Sequence, residues 1–151
     1  MIAGQRTRLH PTDRAARVGP VTGDETTLRL IVETLDGTPI GRLDVEEIDP
    51  RHCGARVRLT VSEPDAAGHD LGRDALAAVC RHLFDQRGLH RVGLTLVDGD
   101  GHVAHVYEEL GFRREGILRD HLRVDGALRD EIVMSLLAGE LRDQENRSSS
   151  G

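Results

Sequence analysis

The chain has 151 residues, 38% hydrophobic and 30% charged, which suits one soluble domain with a modest core and leaves too little for two. Its net charge of -6 speaks against a nucleic-acid groove, which needs a basic face, and favours a cationic or amine-bearing partner. No apolar run approaches the roughly 18 residues of a membrane span, and "MIAGQRTRLH" lacks the apolar stretch of a secretory signal.

All 20 basic residues are arginine, a base-composition bias expected of a GC-rich bacterial genome. Cys53 and Cys80 lie far apart and form no CxxC pair, so a reduced, cytoplasmic protein is expected.

Residues 1–27 are polar, rich in Arg, Gly and Pro, and predict an irregular segment. Within it "RTRLH" has the makings of a short edge strand and "RVGPVTGDE" reads as loop. "TLRLIVETLDGTPIGRLDVEEID" predicts two strands joined at Asp36-Gly37, a hairpin signal. "ARVRLTVSEP" alternates: Ala55, Val57, Leu59 and Val61 face one way, Arg56, Arg58, Thr60 and Ser62 the other, and Pro64 ends the strand.

From Gly72 the period becomes helical. Leu76, Val79, Cys80 and Leu83 share a face and Gly88 supplies the stop, predicting a helix over 72–87. "HRVGLTLVD" is a strand, and "HVAHVYEEL" (102–110) a short helix closed by Gly111. "FRREGILRDHLRV" and "LRDEIVMSLL" are strands around Asp125-Gly126, a second hairpin turn. The polar end, 141–151, predicts a disordered tail, leaving 28–140 as the folded domain. The order predicts an α/β (α+β) fold, a mixed sheet flanked by helices.

The stretch "AAGHDLGRD" (66–74) has the outline of a phosphate loop. Gly68 and Gly72 allow close backbone approach, and the helix that follows offers unpaired N–H groups to an anion. A strand-to-helix turn that needs glycine for its geometry explains the same residues equally well.

The wider pattern is more specific. "LHRV" before a strand, then "YEELGF", "REGILRD", a "DG" hairpin and "MSLL" occur in order. With the loop they resemble the GNAT superfamily of acetyl-CoA-dependent N-acetyltransferases, most nearly the branch holding ribosomal-protein N-terminal acetyltransferases, over about residues 28–137. The resemblance implies a mostly antiparallel sheet whose fourth and fifth strands splay to admit the pantetheine arm. Backbone groups of Leu59, Thr60 and Val61 would pair with that arm. The amides of the loop Ala67, Gly68, His69, Asp70, Leu71, Gly72 and Arg73 would hold the pyrophosphate. The amine attacks the thioester directly, and Tyr107 matches the family tyrosine that protonates the leaving thiolate. A buried aromatic packed under the sheet is the competing role for Tyr107.

Four positions depart from the family. Its loop usually reads Gln or Arg, two free positions, Gly, one free position, then Gly or Ala; those fixed places here hold Ala67, Asp70 and Gly72. A carboxylate about 4 Å from a pyrophosphate costs on the order of 1–4 kcal/mol, with His69 and Arg73 near enough to offset it; alternatively Asp70 caps the helix. Asp100 stands where an asparagine usually holds pantetheine, keeping the acceptor oxygen and losing the amide donor. Thr95 replaces an acid that relays the amine's proton in some members; Glu33, Glu46 and Glu47 are substitute bases, each with a solvated surface role as the alternative. Residues 10–27 leave no room for the family's helical pair over the acceptor site, so that site is open or covered by another chain, and a homodimer through the 112–137 hairpin is expected.

His102 and His105 are spaced as two metal ligands could be, but no framework completes a site, and "DGDG" (98–101) lacks a terminal Glu for calcium. No metal is expected, and Cys80 reads as core. The expected activity is acyl transfer from acetyl-CoA, or another acyl-CoA, to an amine of a small molecule or peptide. The alternatives are a non-catalytic interaction or regulatory protein, and a transferase whose acyl donor rides on a carrier protein.

Overall fold

The computed structural model describes residues 2–11, 26–62, 66–98 and 101–142. Expectations for the loop at 17–25, for Pro64, for Asp100 and for the tail beyond 142 fall outside these residues, as does most of 10–27, where the family's helical pair would stand.

In chain order the elements are β1 (Ile2–Ala3), β2 (Thr7–Pro11), β3 (Leu28–Thr34), β4 (Pro39–Asp49), β5 (Gly54–Val61), α1 (Ala66–Asp85), β6 (Arg91–Val97), α2 (Gly101–Leu110), β7 (Arg113–Val124) and β8 (Ala127–Leu137). The strands form one sheet in the order β1-β2-β3-β4-β5-β6-β8-β7. Every neighbouring pair is antiparallel except β5 with β6, so the mixed, mostly antiparallel sheet implied by the resemblance is present. The two helices pack against each other. Among the described residues no helix is long and apolar enough to cross a membrane.

The N-terminal region departs from expectation. β1 forms inside the segment predicted to be irregular, and β2 falls on "RTRLH", foreseen as a short edge strand, but is interior, with β1 as the short edge. The reason is non-local. The Asp74 carboxylate of α1 accepts the N–H groups of Gln5 and Arg6 (both 3.1 Å) and the Thr7 hydroxyl (2.6 Å), while Thr7 and Leu9 are fully buried. Periodicity cannot reveal a tether between residues so far apart in the chain.

β3 and β4 are joined at Asp36-Gly37 as predicted, with Gly37 at φ +90°. The Asp36 carboxylate accepts the Thr34 hydroxyl and the Thr38 hydroxyl and N–H, which hold it below its usual range. At Gly41 a Cβ would lie 2.2 Å from the Thr60 carbonyl, so only glycine lets β4 reach β5 there.

Helix α1 begins at Ala66, not Gly72, so most of the predicted loop is helix. Asp accepts the right-handed helical conformation without strain, and with Asp70 where the family has glycine the chain winds straight into the helix. The end is near that predicted, with Gly88 at φ +68° and the Leu89 N–H bonded to the Leu83 carbonyl at 3.0 Å.

The core lies between the helices and one sheet face. Leu76, Val79, Cys80 and Leu83, the predicted helix face, are completely buried beside Leu43, Val45, Met134 and Leu136. A Cβ at Gly72 would meet Leu59 Cδ2 at 3.0 Å and Val61 Cγ1 at 3.3 Å, so the bare position seats α1 on β5. β7 and β8 form the second hairpin, with Asp125 at φ 51° and Gly126 at φ 80°, both positive as a two-residue I′ turn requires. β7 is the far edge and is exposed along most of its length.

Candidate active site

The site is built where two neighbouring strands part. The β5–β6 ladder is three pairs long, Gly54↔Arg91 to Arg56↔Gly93, and beyond it the strands diverge. The remainder of β5 stays bonded to β4 on its other side, Leu59 opposite Leu43 and Val61 opposite Gly41. Residues 57–61 therefore turn an edge toward the gap that β6 does not pair.

On the helix side this gap opens into a cavity of about 130 Å³ lined by Leu59 and Val61 of β5, Arg73 of α1, and Val103, Val106 and Tyr107 of α2. Its lining is apolar apart from the Tyr107 hydroxyl and the Arg73 guanidinium. Tyr107 is half-buried and also packs on Phe112, ring centroids 6.1 Å apart at 54°. Tyr107 therefore both lines the cleft and packs on a neighbouring ring. Thr60 is exposed on the opposite sheet face, so only its backbone is available to the cleft.

The predicted cradle is changed by the early start of α1. Ala67, Gly68 and His69 lie in the first turn, and the helical pattern commits the amides of Asp70, Leu71, Gly72 and Arg73 to bonds within the helix. The free amides of such a helix are those of residues 66–68. Asp70 sits in the second turn, exposed, and is not the N-cap. Arg73, one of the two groups expected to offset Asp70, lies 3.6 Å from it and bonds more closely to Glu109 of α2. His105 joins the same group, 3.2 Å from Glu109. Among the described residues no group of metal-ligand side chains gathers. Cys80 is wholly buried, and burial pushes its thiol up to about 12, which suits a core residue and not a nucleophile.

The other sheet face carries a larger cleft of about 490 Å³ beside the same strand divergence. Thr95 lines it, as do Glu47, Asp49, His52, His121 and Glu131. Of the three acids proposed from sequence only Glu47 reaches this cleft. It stands at a bulge in β4 with φ 52°, 3.7 Å from Arg56. Glu33 is occupied by His10 at 2.9 Å, and Glu46 lies 3.6 Å from Arg58. Asp49 accepts from the His52 ring at 2.7 Å, and that bond holds its carboxyl below the usual range.

Sequence reasoning missed Glu131 and His121. Glu131 is 8% exposed, an acid buried at the outward face of β8, with His121 Nδ1 3.6 Å from its Oε1. Counting back from the Asp125-Gly126 turn pairs His121 with Asp130. The ladder instead slips between Leu118 and Leu122, where Asp120 takes φ 48° and donates its N–H to the Asp130 carboxylate at 2.9 Å. That bulge brings His121 to Glu131, and no short-range pattern announces it.

Comparison with known proteins agrees with this geometry. The model of the Acetyltransferase (GNAT) family matches residues 6–112. The chain is 26% identical over 114 residues to a spermidine N(1)-acetyltransferase of Vibrio cholerae, covering 76% of this chain and 65% of that protein. It is 27% identical over 113 residues to the Escherichia coli protein of the same name, covering 75% and 60%. YdaF of Bacillus subtilis, named as a candidate ribosomal N-acetyltransferase, is 28% identical over 109 residues, covering 70% and 57%. The chain thus spans about three-fifths of the length of these relatives. A solved structure of a point mutant of the Vibrio cholerae spermidine N-acetyltransferase SpeG superposes with TM-score 0.69 at 26% identity, over 76% of this chain and 68% of that one. SpeG in complex with manganese ions superposes with TM-score 0.77 over 95% and 97%, at 21% identity.

Proposed function

The chain belongs to the acetyltransferase (GNAT) family, and from that premise we propose that it transfers an acetyl group from acetyl-CoA to a primary amine of a small cationic molecule. The observation that carries this reading is the placement of Tyr107 opposite Leu59 and Val61, in a cleft at the point where β5 and β6 part.

Acetyl-CoA supplies a thioester activated toward amines. The unpaired edge of residues 57–61 binds its pantetheine arm by backbone hydrogen bonds, and Leu59, Val61, Val103 and Val106 keep the arm dry. The Tyr107 hydroxyl gives its proton to the sulfur as the C–S bond breaks. The pyrophosphate end fits less well: its amides are those of residues 66–68, one turn before Gly72, and Asp70 lies near by.

The acceptor enters from the opposite face. Glu47, Asp49 and Glu131 give that cleft a carboxylate-rich lining suited to a polyamine-like cation, and relatives that share about a quarter of the sequence are named for spermidine. The free thiols of Cys53 and Cys80 support a reducing, cytoplasmic setting.

Titration calorimetry with acetyl-CoA and CoA, followed by thiol-release assays over monoamines, polyamines and an N-terminal peptide, tests the reading. Saturable binding at micromolar donor and turnover of polyamines are expected. Silence at millimolar donor sinks it and favours a protein that binds partners or takes its acyl group from a carrier protein.

Self-association belongs to the same proposal. β7 is an unpaired sheet edge, and Ile117, Leu118 and Leu128 are about half exposed on its hairpin, which suits contact with a second copy. A dodecameric structure is recorded for the Vibrio cholerae SpeG neighbour. Light scattering that finds only monomer at high micromolar protein refutes this part.

A further inference from the structure

We infer that His121 is the proton acceptor for the attacking amine and that Glu131 positions it, an assignment that rests on the acetyl-transfer reading above.

The placement comes first. Along β6, Gly93, Thr95 and Val97 face away from the helices, and their β8 partners Ser135, Val133 and Glu131 share that face. Gly93 belongs to the last β5–β6 pair, so Thr95 stands beside the opening between those strands, and Glu131, across β6 on β8, lines the same cleft. The carboxylate absent at Thr95 is thus replaced one strand away.

A buried carboxylate does not persist without a partner. Among the described residues the charged partner recorded for Glu131 is His121, with Nδ1 on the carboxylate side. His121 is 55% exposed at its side chain and lines the cleft, whereas Glu131 is 10% exposed. This is the order of a base and its orienter. A small rotation of the ring turns the 3.6 Å separation into an Nδ1–H to carboxylate hydrogen bond, which fixes the tautomer and leaves the Nε2 lone pair free for the amine. The slipped ladder at Asp120 keeps His121 within that reach.

The other charged groups that line the cleft are Glu47, Asp49, His52, Arg56 and Arg91. Four of them are engaged in pairs of their own: Glu47 with Arg56, and Asp49 with His52. Arg91 is engaged by Glu115 of β7. The His121–Glu131 pair is the imidazole–carboxylate couple on the β7–β8 side of the cleft, across β6 from the strand divergence.

The step balances. An acceptor ammonium carries three N–H protons and the product amide keeps one. His121 Nε2 takes the first, freeing the nitrogen lone pair, which forms the N–C bond to the thioester carbon. The second proton leaves as the C–S bond breaks and the thiolate collects one from Tyr107. Tyr107 is reprotonated from the nitrogen's second proton by way of solvent, and His121 returns its own to solvent.

The test is the pH profile of kcat/KM for a polyamine at saturating acetyl-CoA, wild type against His121→Gln, His121→Asn and Glu131→Gln, with the full chain. His121→Gln is expected to lower kcat/KM about 10²-fold near neutral pH. It should leave the acetyl-CoA KM unchanged and alter the shape of the pH profile. The deficit should shrink to within about tenfold above roughly pH 9, where free amine becomes plentiful and needs no base. Glu131→Gln should cost about tenfold in kcat with both KM values nearly unchanged, because the imidazole loses the carboxylate that orients it. His121→Asn guards against an effect peculiar to glutamine. An active wild type whose profile survives both His121 variants overturns this assignment alone. A wild type that acetylates no amine overturns the transfer reading and this assignment with it.

Discussion

The two faces of the sheet are held by different forces. The helix face is a continuous apolar core in which Leu9, Leu43, Leu76, Leu83 and Met134 have no exposure. The opposite face is laced with ion pairs, Arg42–Asp44 at 3.3 Å, Arg58–Glu46 at 3.6 Å and Arg56–Glu47 at 3.7 Å among them. Burial of apolar area is worth about 25 cal/mol per Å², whereas an exposed ion pair contributes about 0–1 kcal/mol. Stability therefore resides on the helix face, and the other face is free to be charged and open. Asp44 marks the limit of that freedom: it is 5% exposed and one of its carboxylate oxygens has no hydrogen-bond partner among the described residues.

The contrast breaks most directly by mutation. Leu76→Ala should destabilise by about 2–5 kcal/mol, since a fully buried leucine leaves a cavity, while Arg58→Ala should stay within about 0.5 kcal/mol. Denaturant midpoints read both, and an equal loss in the two variants abolishes the distinction. Next in size, Tyr107→Phe should lower kcat about 10²-fold with the donor affinity nearly unchanged. A fall in melting temperature with no kinetic effect would instead assign Tyr107 to packing on Phe112.

Asp70→Gly should tighten acetyl-CoA binding about tenfold, or about 1.4 kcal/mol. It removes a negative charge and weakens the first turns of α1 by about 0.3 kcal/mol, which eases release of amides to the phosphates. Asp70→Asn separates the causes, because it removes only the charge, and a gain due to charge fades with salt. If neither variant binds more tightly, Asp70 does not face the donor.

The smallest effects lie in pH dependence, and the two faces should answer to opposite ends of the scale. Cys80 has a raised thiol, so its contribution is complete below the ordinary thiol range, near 8.5, and is lost as pH rises toward about 12. Melting temperatures of Cys80→Ala should therefore decline less steeply than wild type above about pH 9. Asp49 has a lowered carboxyl, so its contribution is present above the ordinary carboxylate range, near 4, and is lost as pH falls through the lowered value. Asp49→Asn should flatten the acid limb slightly, and a steeper limb contradicts the Asp49–His52 bond.

What was legible in the sequence follows the same division. The helix-face residues Leu76, Val79, Cys80 and Leu83, the alternation of β5, and both hairpin turns could be read because each is a short-range pattern. So could the family, from "YEELGF" and the features spaced around it. The start of α1 was misplaced because Gly72 looks like loop chemistry, whereas it serves helix-to-strand contact. β1 was missed, and the interior place of β2, foreseen at "RTRLH" only as a short edge strand, was missed too, because Asp74 holds them from the far side of the chain; Glu131 with His121 was missed because a bulge sets their register. Each miss depends on a partner distant in sequence or on an irregularity of the backbone.

Gly72 ties the two halves of the molecule together in another way. The side chains that would touch its missing Cβ, Leu59 and Val61, are also one wall of the helix-side cleft proposed for the donor arm. The distance between α1 and β5 is thus a caliper, and the bare α-carbon sets its jaw. Thickening that position to alanine pushes on the wall itself, so donor-arm fit and fold stability move together there. Leu59→Val, trimmed from the cleft side, widens the channel and leaves the α1 contact at Gly72 to Val61. Under the proposed transfer reading, a wider arm channel is therefore reached through residue 59 and closed through residue 72.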